Sequence, residues 1–277
     1  MKKQVTTIPV LITVYLRAIE NTAIPPFAGE GSRHAFFAML GESEIATILH
    51  EIPGLKPYAI KPLRPIDGKK KVKNDRWVIR EGTKLAFDIG ILDPGIEDRI
   101  LTDIVSMKKE TLNICGATFY LEYFEVYKRS SYEDLLPGKT TSFIGVCFRT
   151  PTRFSSRPHL YPDPTQLFKN LLNIWNTYAE EEERIDSENF LDWISDRVDI
   201  RYYSLKTREV KIKNAKIVGF KGKTAYVIMD PEFEEAEYIL GLLRLGLISN
   251  VGQKRTYGLG VITAKDLVNN ENIDLAK

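Results

Sequence analysis

Cysteine is nearly absent from this sequence of 277 residues, which contains only Cys115 and Cys147. The two lie far apart without a Cys-x-x-Cys pattern, each in an apolar, strand-like stretch. Buried free thiols are therefore favoured over a disulfide or a thiolate metal site, which fits a reducing, cytoplasmic compartment. The sequence also lacks an apolar run near the roughly 20 residues of a membrane span, and we expect no membrane association. Because Gln4, several threonines and Arg17 interrupt the N-terminal apolar run, it predicts a strand and not a signal peptide.

Histidine is scarce too, at His34, His50 and His159. His, Cys, Asp and Glu do not cluster at metal-ligand spacing, so the sequence predicts neither a metal site nor a cofactor. Imidazole titrates near neutral pH and can give or take a proton in catalysis. His50 ends a short predicted helix and precedes Lys56 across a Pro-Gly turn, a spacing that can bring imidazole and ammonium to one pocket. A structural or solvated histidine is the alternative.

The formal net charge of +2 hides a segregated distribution. Residues 61–76 carry seven cations against two acids, and residues 201–223 carry eight cations against one acid. Residues 178–200 carry nine acids against two cations. Basic blocks attract polyanions such as nucleic acids, although most charge runs are only solvated surface.

A glycine-rich segment at residues 250–260 combines three glycines, two adjacent cations and an aromatic side chain. Glycine lets the backbone approach a ligand closely, and exposed N–H groups in such a loop can bind phosphate oxygens. Lys254 and Arg255 add positive charge, and Tyr257 offers a stacking face. The combination suits a nucleic-acid backbone, and a glycine-rich hairpin with solvated cations is the alternative.

The order of predicted elements is β-α-β-β-α-β, and it occurs twice. We therefore predict an α+β protein of two tandem ferredoxin-like domains, at residues 1–130 and 141–277. In the first domain, Ser32 is expected to cap a helix over residues 33–40, and residues 77–91 are expected to form one strand. Many RNA-recognition modules share this architecture, but the fold alone does not establish a function.

Three segments, in order, carry a family resemblance: residues 49–56, residues 149–154 and the glycine-rich residues 252–260. Together they resemble the CRISPR-associated repeat-RNA endoribonucleases, the sixth Cas family, within the repeat-associated (RAMP) superfamily of double ferredoxin-like proteins. The resemblance covers nearly the whole chain. It implies metal-independent cleavage of precursor CRISPR RNA within its repeats, which yields guide RNA with 2′,3′-cyclic phosphate and 5′-hydroxyl ends. CRISPR repeat RNA is the implied partner, an interference complex is a further partner that the resemblance allows, and a monomer or a homodimer is expected.

The resemblance also assigns residues to the chemistry. His50 matches the family's catalytic histidine and is expected to be the general acid. Lys56 matches the family's lysine and would stabilise charge that develops on the phosphate. The tyrosine that many members carry on the preceding helix is absent, because Ala35 stands nearest its position. His34 is the candidate replacement as general base, yet a shift of one residue turns a side chain by about 100° on a helix. A surface or packing histidine is the alternative.

The expected RNA contacts lie in the two other segments. The glycine-rich segment contributes Gly252, Lys254, Arg255, Tyr257, Gly258 and Gly260, and the other segment and its continuation contribute Arg149, Arg153 and Arg157. Asn250 stands where the family has its first glycine, and Asn tolerates left-handed backbone geometry better than most residues. A structural turn anchored by Phe154 is the alternative for residues 149–154.

Two other functions remain open at the level of sequence. The first is a non-catalytic CRISPR RNA-binding protein, or a subunit of an interference complex with the same fold. The missing tyrosine favours it, and the retained His50 and Lys56 oppose it. The second is a generic pair of ferredoxin-like domains that binds a protein partner.

Overall fold

The structure, a computed structural model, describes residues 9–129, 131–136, 138–154 and 160–275. These residues form two compact units. The N-terminal unit contains Val10–Arg129 together with the short segment Thr256–Gly258, and the C-terminal unit contains the other described residues. Each unit has an antiparallel sheet of its own.

The N-terminal unit follows the predicted order of elements. Its strands are β1 (Val10–Ala18), β2 (Thr22–Ile24), β3 (Tyr58–Pro65), β4 (Lys71–Lys73), β5 (Arg76–Ile79), β6 (Lys84–Ile91), β7 (Thr111–Ile114) and β8 (Ala117–Arg129). Its helices are α1 (Gly29–Leu40), α2 (Glu44–Glu51) and α3 (Pro94–Ser106). The main sheet has the strand order β3-β6-β1-β8-β7, with every neighbouring pair antiparallel. The path β1-α1-β3-β6-α3-β8 is a ferredoxin-like βαββαβ order.

Burial explains why this unit folds as it does. The central strand β1 places Ile12 and Val14 in the core, where both are fully buried. Phe36 of α1 joins the same cluster, so that the helix covers one face of the sheet. The hydroxyl of Ser32 donates to the carbonyl of Ala28 at 2.9 Å and accepts from the N–H of Leu63 at 2.9 Å. Ser32 therefore lies inside α1 and fastens it to β3, which corrects the predicted capping role.

The predicted strand over residues 77–91 is wrong as a single element. Its first part is β5, which pairs with β2 and β4 in a small separate sheet, and its second part is β6 of the main sheet. Gly82 lies between the two with φ of 77°, a backbone conformation that glycine adopts without strain. The turn sends the chain from one sheet to the other.

The C-terminal unit repeats the architecture. Its helices are α4 (Tyr132–Leu135), α5 (Pro164–Tyr178), α6 (Ser187–Arg197) and α7 (Glu234–Ser249). Its strands are β9 (Phe143–Thr152), β10 (Val198–Ile212), β11 (Ala215–Ile228), β12 (Ile262–Asp266) and β13 (Glu271–Ile273), and there are 3₁₀ turns at Glu181–Glu183 and Arg255–Tyr257. The sheet order is β10-β11-β9-β12-β13, all antiparallel. The path β9-α5-β10-β11-α7-β12 gives the second βαββαβ order, and the predicted pair of ferredoxin-like folds is confirmed.

The sheet of the C-terminal unit has a helix-covered face and an open face. Along β9 the side chains of Ile144, Val146 and Phe148 are buried and alternate with less buried neighbours. Phe148 pairs with Ile262 of β12, and the side chain of Ile262 lies against Gly246 of α7. The helices therefore cover the face that these residues share, and the alternate positions form the open face.

Candidate active site and nucleic-acid surface

His50 lies in the last turn of α2, where its side chain is exposed. Ser43 precedes the helix as its N-cap, and its hydroxyl accepts the N–H of Ala46 at 3.3 Å. Ile45 and Leu49 are buried and hold one face of the helix on the core. The opposite face is left in solvent, and His50 belongs to it.

The structure brings Lys56 back to the end of this helix. Its Nζ donates to the carbonyl oxygens of Leu49 at 3.2 Å and His50 at 3.0 Å, and also to that of Ile52. A cation is favourable there because the last carbonyls of a helix carry partial negative charge. Burial lowers the pKa of Lys56, and the nearby positive charge of Arg33 lowers it further. The predicted proximity of Lys56 to His50 is thus observed, as a hydrogen bond from Lys56 to the backbone carbonyl of His50.

Arg33 is a second cation at this place, and nothing in the sequence pattern singles it out. It lies on α1 and is only 8% exposed. Its Nη2 lies 3.5 Å from Nδ1 of His50, and its Nε donates to the hydroxyl of Tyr58 at 3.2 Å. The guanidinium carbon lies 4.6 Å from the ring centroid of Phe37 and 4.9 Å from that of Tyr257. Two aromatic rings and a phenol therefore hold the guanidinium beside the imidazole.

Tyr257 reaches this group because residues 256–258 pack within the N-terminal unit. A Cβ at Gly29 would overlap the carbonyl oxygen of Tyr257, and a Cβ at Gly258 would lie 2.6 Å from Cγ of Pro62. The two glycines thus permit the close packing that places Tyr257 against Arg33. For Gly258, close packing and a φ of 83° are sufficient reasons for glycine.

His34 and Ala35 take different positions on α1. Ala35 is fully buried, and His34 is exposed. The α1 side chain that contacts His50 is that of Arg33, one residue before His34 and about 100° away around the helix. The role of His34 as general base stays a prediction.

Within the C-terminal unit, the glycine-rich segment folds back on itself. The N–H of Val251 donates to the carbonyl of Gly260 at 2.8 Å, and the N–H of Gly252 donates to Oδ1 of Asn170 at 2.7 Å. A Cβ at Gly252 would lie 2.5 Å from the carbonyl oxygen of Arg153, and one at Gly260 would overlap that of Val251. Both glycines also have positive φ. Their first role is therefore to let three backbone segments pack together.

Asn250, which stands where the resemblance implies a glycine, has φ of 55° and is fully buried. Its side-chain amide donates to the carbonyl of Arg255 at 3.2 Å. The positive φ expected of this residue is observed, with ψ of 178°, and the amide gives it an additional contact across the loop.

Arg255 corrects a prediction. We expected its guanidinium to contact RNA, but the side chain is only 5% exposed and its Nη1 donates to the carbonyl of Ser249 at 2.8 Å. Burial lowers the pKa of Arg255 to about 10. The residue fastens the end of α7 to the loop, and the adjacent Lys254 is the exposed cation.

The segment at residues 149–154 contains both a packed Phe154, as expected of a structural turn, and an exposed arginine that could contact RNA. Phe154 packs on Phe148 at 6.5 Å and Phe220 at 5.9 Å between ring centroids, as the structural alternative predicts. The carbonyl of Arg153 accepts the N–H of Gln253 at 2.8 Å, so its backbone supports the glycine-rich segment. Arg149 is exposed at the end of the open sheet face. Arg157 and His159 lie outside the described residues.

The open face of the C-terminal sheet carries six cations from four adjacent strands, which we call the basic face. Strand register places Lys206 opposite Lys221, Lys223 opposite Cys147, and Lys265 opposite Gly145. The members of the basic face are Arg149, Lys206, Arg208, Lys221, Lys223 and Lys265. In the described part of the chain, none of the six forms an ion pair.

The cations of the basic face repel one another. Burial lowers the pKa of Lys221, and the charges of Arg149 and Lys206 lower it further. Such a concentration of like charge destabilises a fold unless an anion neutralises it. The basic block at residues 201–223 contributes most of the cations on this face. The pairing of β10 and β11 with β9 and β12 places them on one surface.

The described residues contain no group of three or more His, Cys, Asp or Glu side chains arranged to hold a metal ion. Among the same residues, no helix combines the length and the apolar character that crossing a membrane requires.

Comparison with known proteins finds similarity to one family. Residues 146–262 match the family model of the CRISPR-associated endoribonuclease Cas6. A curated relative from Streptococcus thermophilus, named CRISPR-associated endoribonuclease Cas6, is 24% identical over 237 residues, which covers 84% of this chain and 90% of the relative. The resemblance that the motifs predict is thus confirmed.

Solved structures share the fold. A Thermus thermophilus Cas6 in a product complex superposes with a TM-score of 0.72 at 20% identity, covering 92% of this chain and 98% of the other. A Cas6-related protein from Pyrococcus furiosus gives a TM-score of 0.61 at 16% identity, covering 94% and 99%. At such identities the likeness concerns the fold, and residue roles depend on the geometry of this chain.

Proposed function

We propose that this chain, whose sequence and fold both match the Cas6 family, is an endoribonuclease that binds CRISPR repeat RNA and cleaves it to guide RNA. The observation that carries the proposal is the cluster of an exposed imidazole and two cations on one unit: His50, Lys56 and Arg33. A proton donor beside fixed positive charge is the equipment that phosphodiester cleavage needs.

The reaction that we propose needs no metal. The 2′-hydroxyl attacks the adjacent phosphorus and loses its proton, the bond from phosphorus to the 5′-oxygen breaks, and the departing oxygen takes up a proton. The products are a 2′,3′-cyclic phosphate and a 5′-hydroxyl. His50, in its protonated form, gives the proton to the 5′-oxygen, and Lys56 stabilises the charge that builds on the phosphate. His34 remains the candidate acceptor of the 2′-hydroxyl proton.

The basic face supports the binding part of the proposal. Six cations without ion pairs in the described residues, next to the exposed Tyr202 of β10, form a surface suited to a phosphate backbone and a stacked base. Lys254, which is exposed, and Arg153 are further candidates for phosphate contacts. Contacts of this kind hold the RNA in register without reading its sequence.

A non-catalytic RNA-binding protein of the same fold is the second candidate. The specific observation in its favour is Ala35, a buried methyl group where the family resemblance places a tyrosine. Such a protein binds through the basic face and leaves the RNA intact.

Cleavage of a repeat RNA in EDTA tests the proposal. We expect the wild type to cleave at one position in the repeat and to leave a 2′,3′-cyclic phosphate, because no step requires a metal. His50→Ala should lose most cleavage and keep nearly all RNA affinity, since the imidazole acts on the leaving group. Glu51→Ala, which removes the next exposed side chain of the same helical turn, is the matched control and should cleave normally.

The outcomes separate the candidates. Tight binding without cleavage by the wild type supports the non-catalytic protein. Cleavage that disappears in EDTA refutes the metal-free mechanism. Equal cleavage by the wild type and His50→Ala removes His50 from the chemistry, and loss in His34→Ala with unchanged binding supports its role as base.

A further inference from the structure

Arg33 is a buried cation that is not paired with any carboxylate of the described residues. In the described part of the chain it forms no ion pair, although it is only 8% exposed. Its contacts are instead a phenol, two aromatic rings and the imidazole of His50. Charged side chains are almost never buried unless they are paired. The position therefore suits an anion that the described residues do not supply.

The guanidinium also has a donor to spare. Arginine carries five N–H donors on three nitrogens. Nε is used by Tyr58 and Nη2 faces His50, whereas Nη1 has no hydrogen-bond partner among the described residues and is not one of the solvent-inaccessible atoms. An anion that approaches His50 from solvent can therefore accept a hydrogen bond from Nη1.

The charge is held in place before any ligand binds. Tyr58 is fully buried, and the rings of Phe37 and Tyr257 both lie within 5 Å of the guanidinium carbon at 4.6 and 4.9 Å. Lys56 is close enough for the charge of Arg33 to lower its pKa, so two fixed cations lie close together at His50. Preorganised charge of this kind stabilises a charged transition state without reorganisation at the moment of reaction.

We propose that Arg33 is a catalytic residue: its guanidinium binds a non-bridging oxygen of the scissile phosphate beside His50 and stabilises the charge of the transition state. This inference rests on the proposed endoribonuclease function. In this role Arg33 binds the oxygen and transfers no proton. Arg33 would thus be the third catalytic residue beside His50 and Lys56, where the resemblance implies a tyrosine. Its contribution is charge stabilisation and not proton transfer.

The test compares Arg33→Met, which keeps the length and packing of the stem, with Arg33→Lys, which keeps the charge but not the fork. Under single-turnover conditions with saturating RNA, we expect Arg33→Met to cleave about 10²- to 10³-fold more slowly than the wild type, as for the loss of one preorganised donor. Arg33→Lys should recover part of the rate. Arg99→Met, which removes an arginine on α3 paired with Glu44, is the control and should cleave normally.

A second readout separates contact with the phosphate from damage to the fold. We compare affinities for product RNAs that end in a 3′-phosphate and in a 3′-hydroxyl. A structural defect weakens both RNAs alike, whereas loss of a phosphate contact lowers the preference for the 3′-phosphate by about tenfold. Added methylguanidinium should restore cleavage by Arg33→Ala.

The inference is overturned if Arg33→Met cleaves at the wild-type rate, or if it loses rate while the preference for the 3′-phosphate stays unchanged and methylguanidinium restores nothing to Arg33→Ala. If instead the wild type does not cleave, the proposed function fails. The phosphate preference then still decides whether Arg33 meets a phosphate at this position.

Discussion

The basic face makes a quantitative prediction about salt. The perturbation replaces Arg149, Lys206 and Lys221 by glutamine, one cation from each of three adjacent strands. Burial and the charges of the other two lower the pKa of Lys221, so its charged form is disfavoured in the folded state. That cost is present below the folded pKa and disappears as the pH rises through it, because the unfolded chain binds more protons there. Removing these charges should therefore leave the fold intact or slightly more stable.

The magnitude follows from counterion release. Each phosphate that a cation neutralises contributes about 0.7 to 0.9 to the slope of log affinity against log salt. Three lost contacts should reduce the slope by about 2 to 3. Between about 50 and about 200 mM salt, the wild type should therefore lose about 20- to 40-fold more affinity than the triple variant.

Fluorescence anisotropy with a repeat RNA that carries a 2′-deoxy substitution at the scissile nucleotide measures this slope without cleavage. The control triple variant replaces Lys169, Lys211 and Lys216 by glutamine, which removes equal charge from positions outside the basic face. Equal slopes for the wild type and the first variant would refute the basic face as the RNA surface. Equal reductions in both variants would show that total charge matters and the location of the charge does not.

Two further predictions concern single residues. Lys56→Arg should extend cleavage to higher pH, because burial and the charge of Arg33 lower the pKa of Lys56 while a guanidinium stays charged. The cleavage rate is measured against pH for both proteins. Identical loss of rate at alkaline pH would contradict the prediction. Gly260→Ala should destabilise the protein by roughly 3 kcal/mol, since its φ of 70° and the carbonyl of Val251 both oppose a Cβ. Gly82→Ala, with φ of 77° and open space around it, should cost only about 1 to 2 kcal/mol in the same urea unfolding experiment, and equal costs would refute the close approach.

The fold was largely predictable because its elements are long and periodic. The apolar positions of α5 repeat at helical spacing, and the structure shows Pro164 as its first residue and Asp163 as its N-cap. The predicted strand over residues 77–91 failed for a different reason. Its apolar residues suit either sheet, and only tertiary pairing shows that the chain changes sheets at Gly82.

The site was predictable only where it is local in sequence. Lys56 follows His50 by six positions, and a helix end followed by a turn brings them together. Arg33 reaches His50 through the packing of α1 on β3, a tertiary contact that the spacing of residues in the sequence does not predict. The prediction for Arg255 was wrong in the opposite direction. The glycine-rich segment around it suggested an exposed cation, but Arg255 is buried against the C-terminal end of α7. Sequence shows which charges exist, whereas packing decides which of them face a ligand.

The tyrosine that the resemblance implies is not present in this sequence, and its absence changes which groups the proposed site can use. Arg33 and Lys56 are both fixed by protein contacts, the first by Tyr58 and two rings and the second by carbonyls at the end of α2. Neither is suited to accept the proton of the 2′-hydroxyl, because an arginine stays charged and a protonated lysine has no lone pair. Under the proposed function, Arg33, Lys56 and His50 provide the charge stabilisation and the acid, and the alignment of the 2′-hydroxyl is left to His34 or to the conformation of the bound RNA. If the RNA conformation provides this alignment, substitutions that remove contacts to the RNA backbone should slow the cleavage step itself, even when the RNA is saturating.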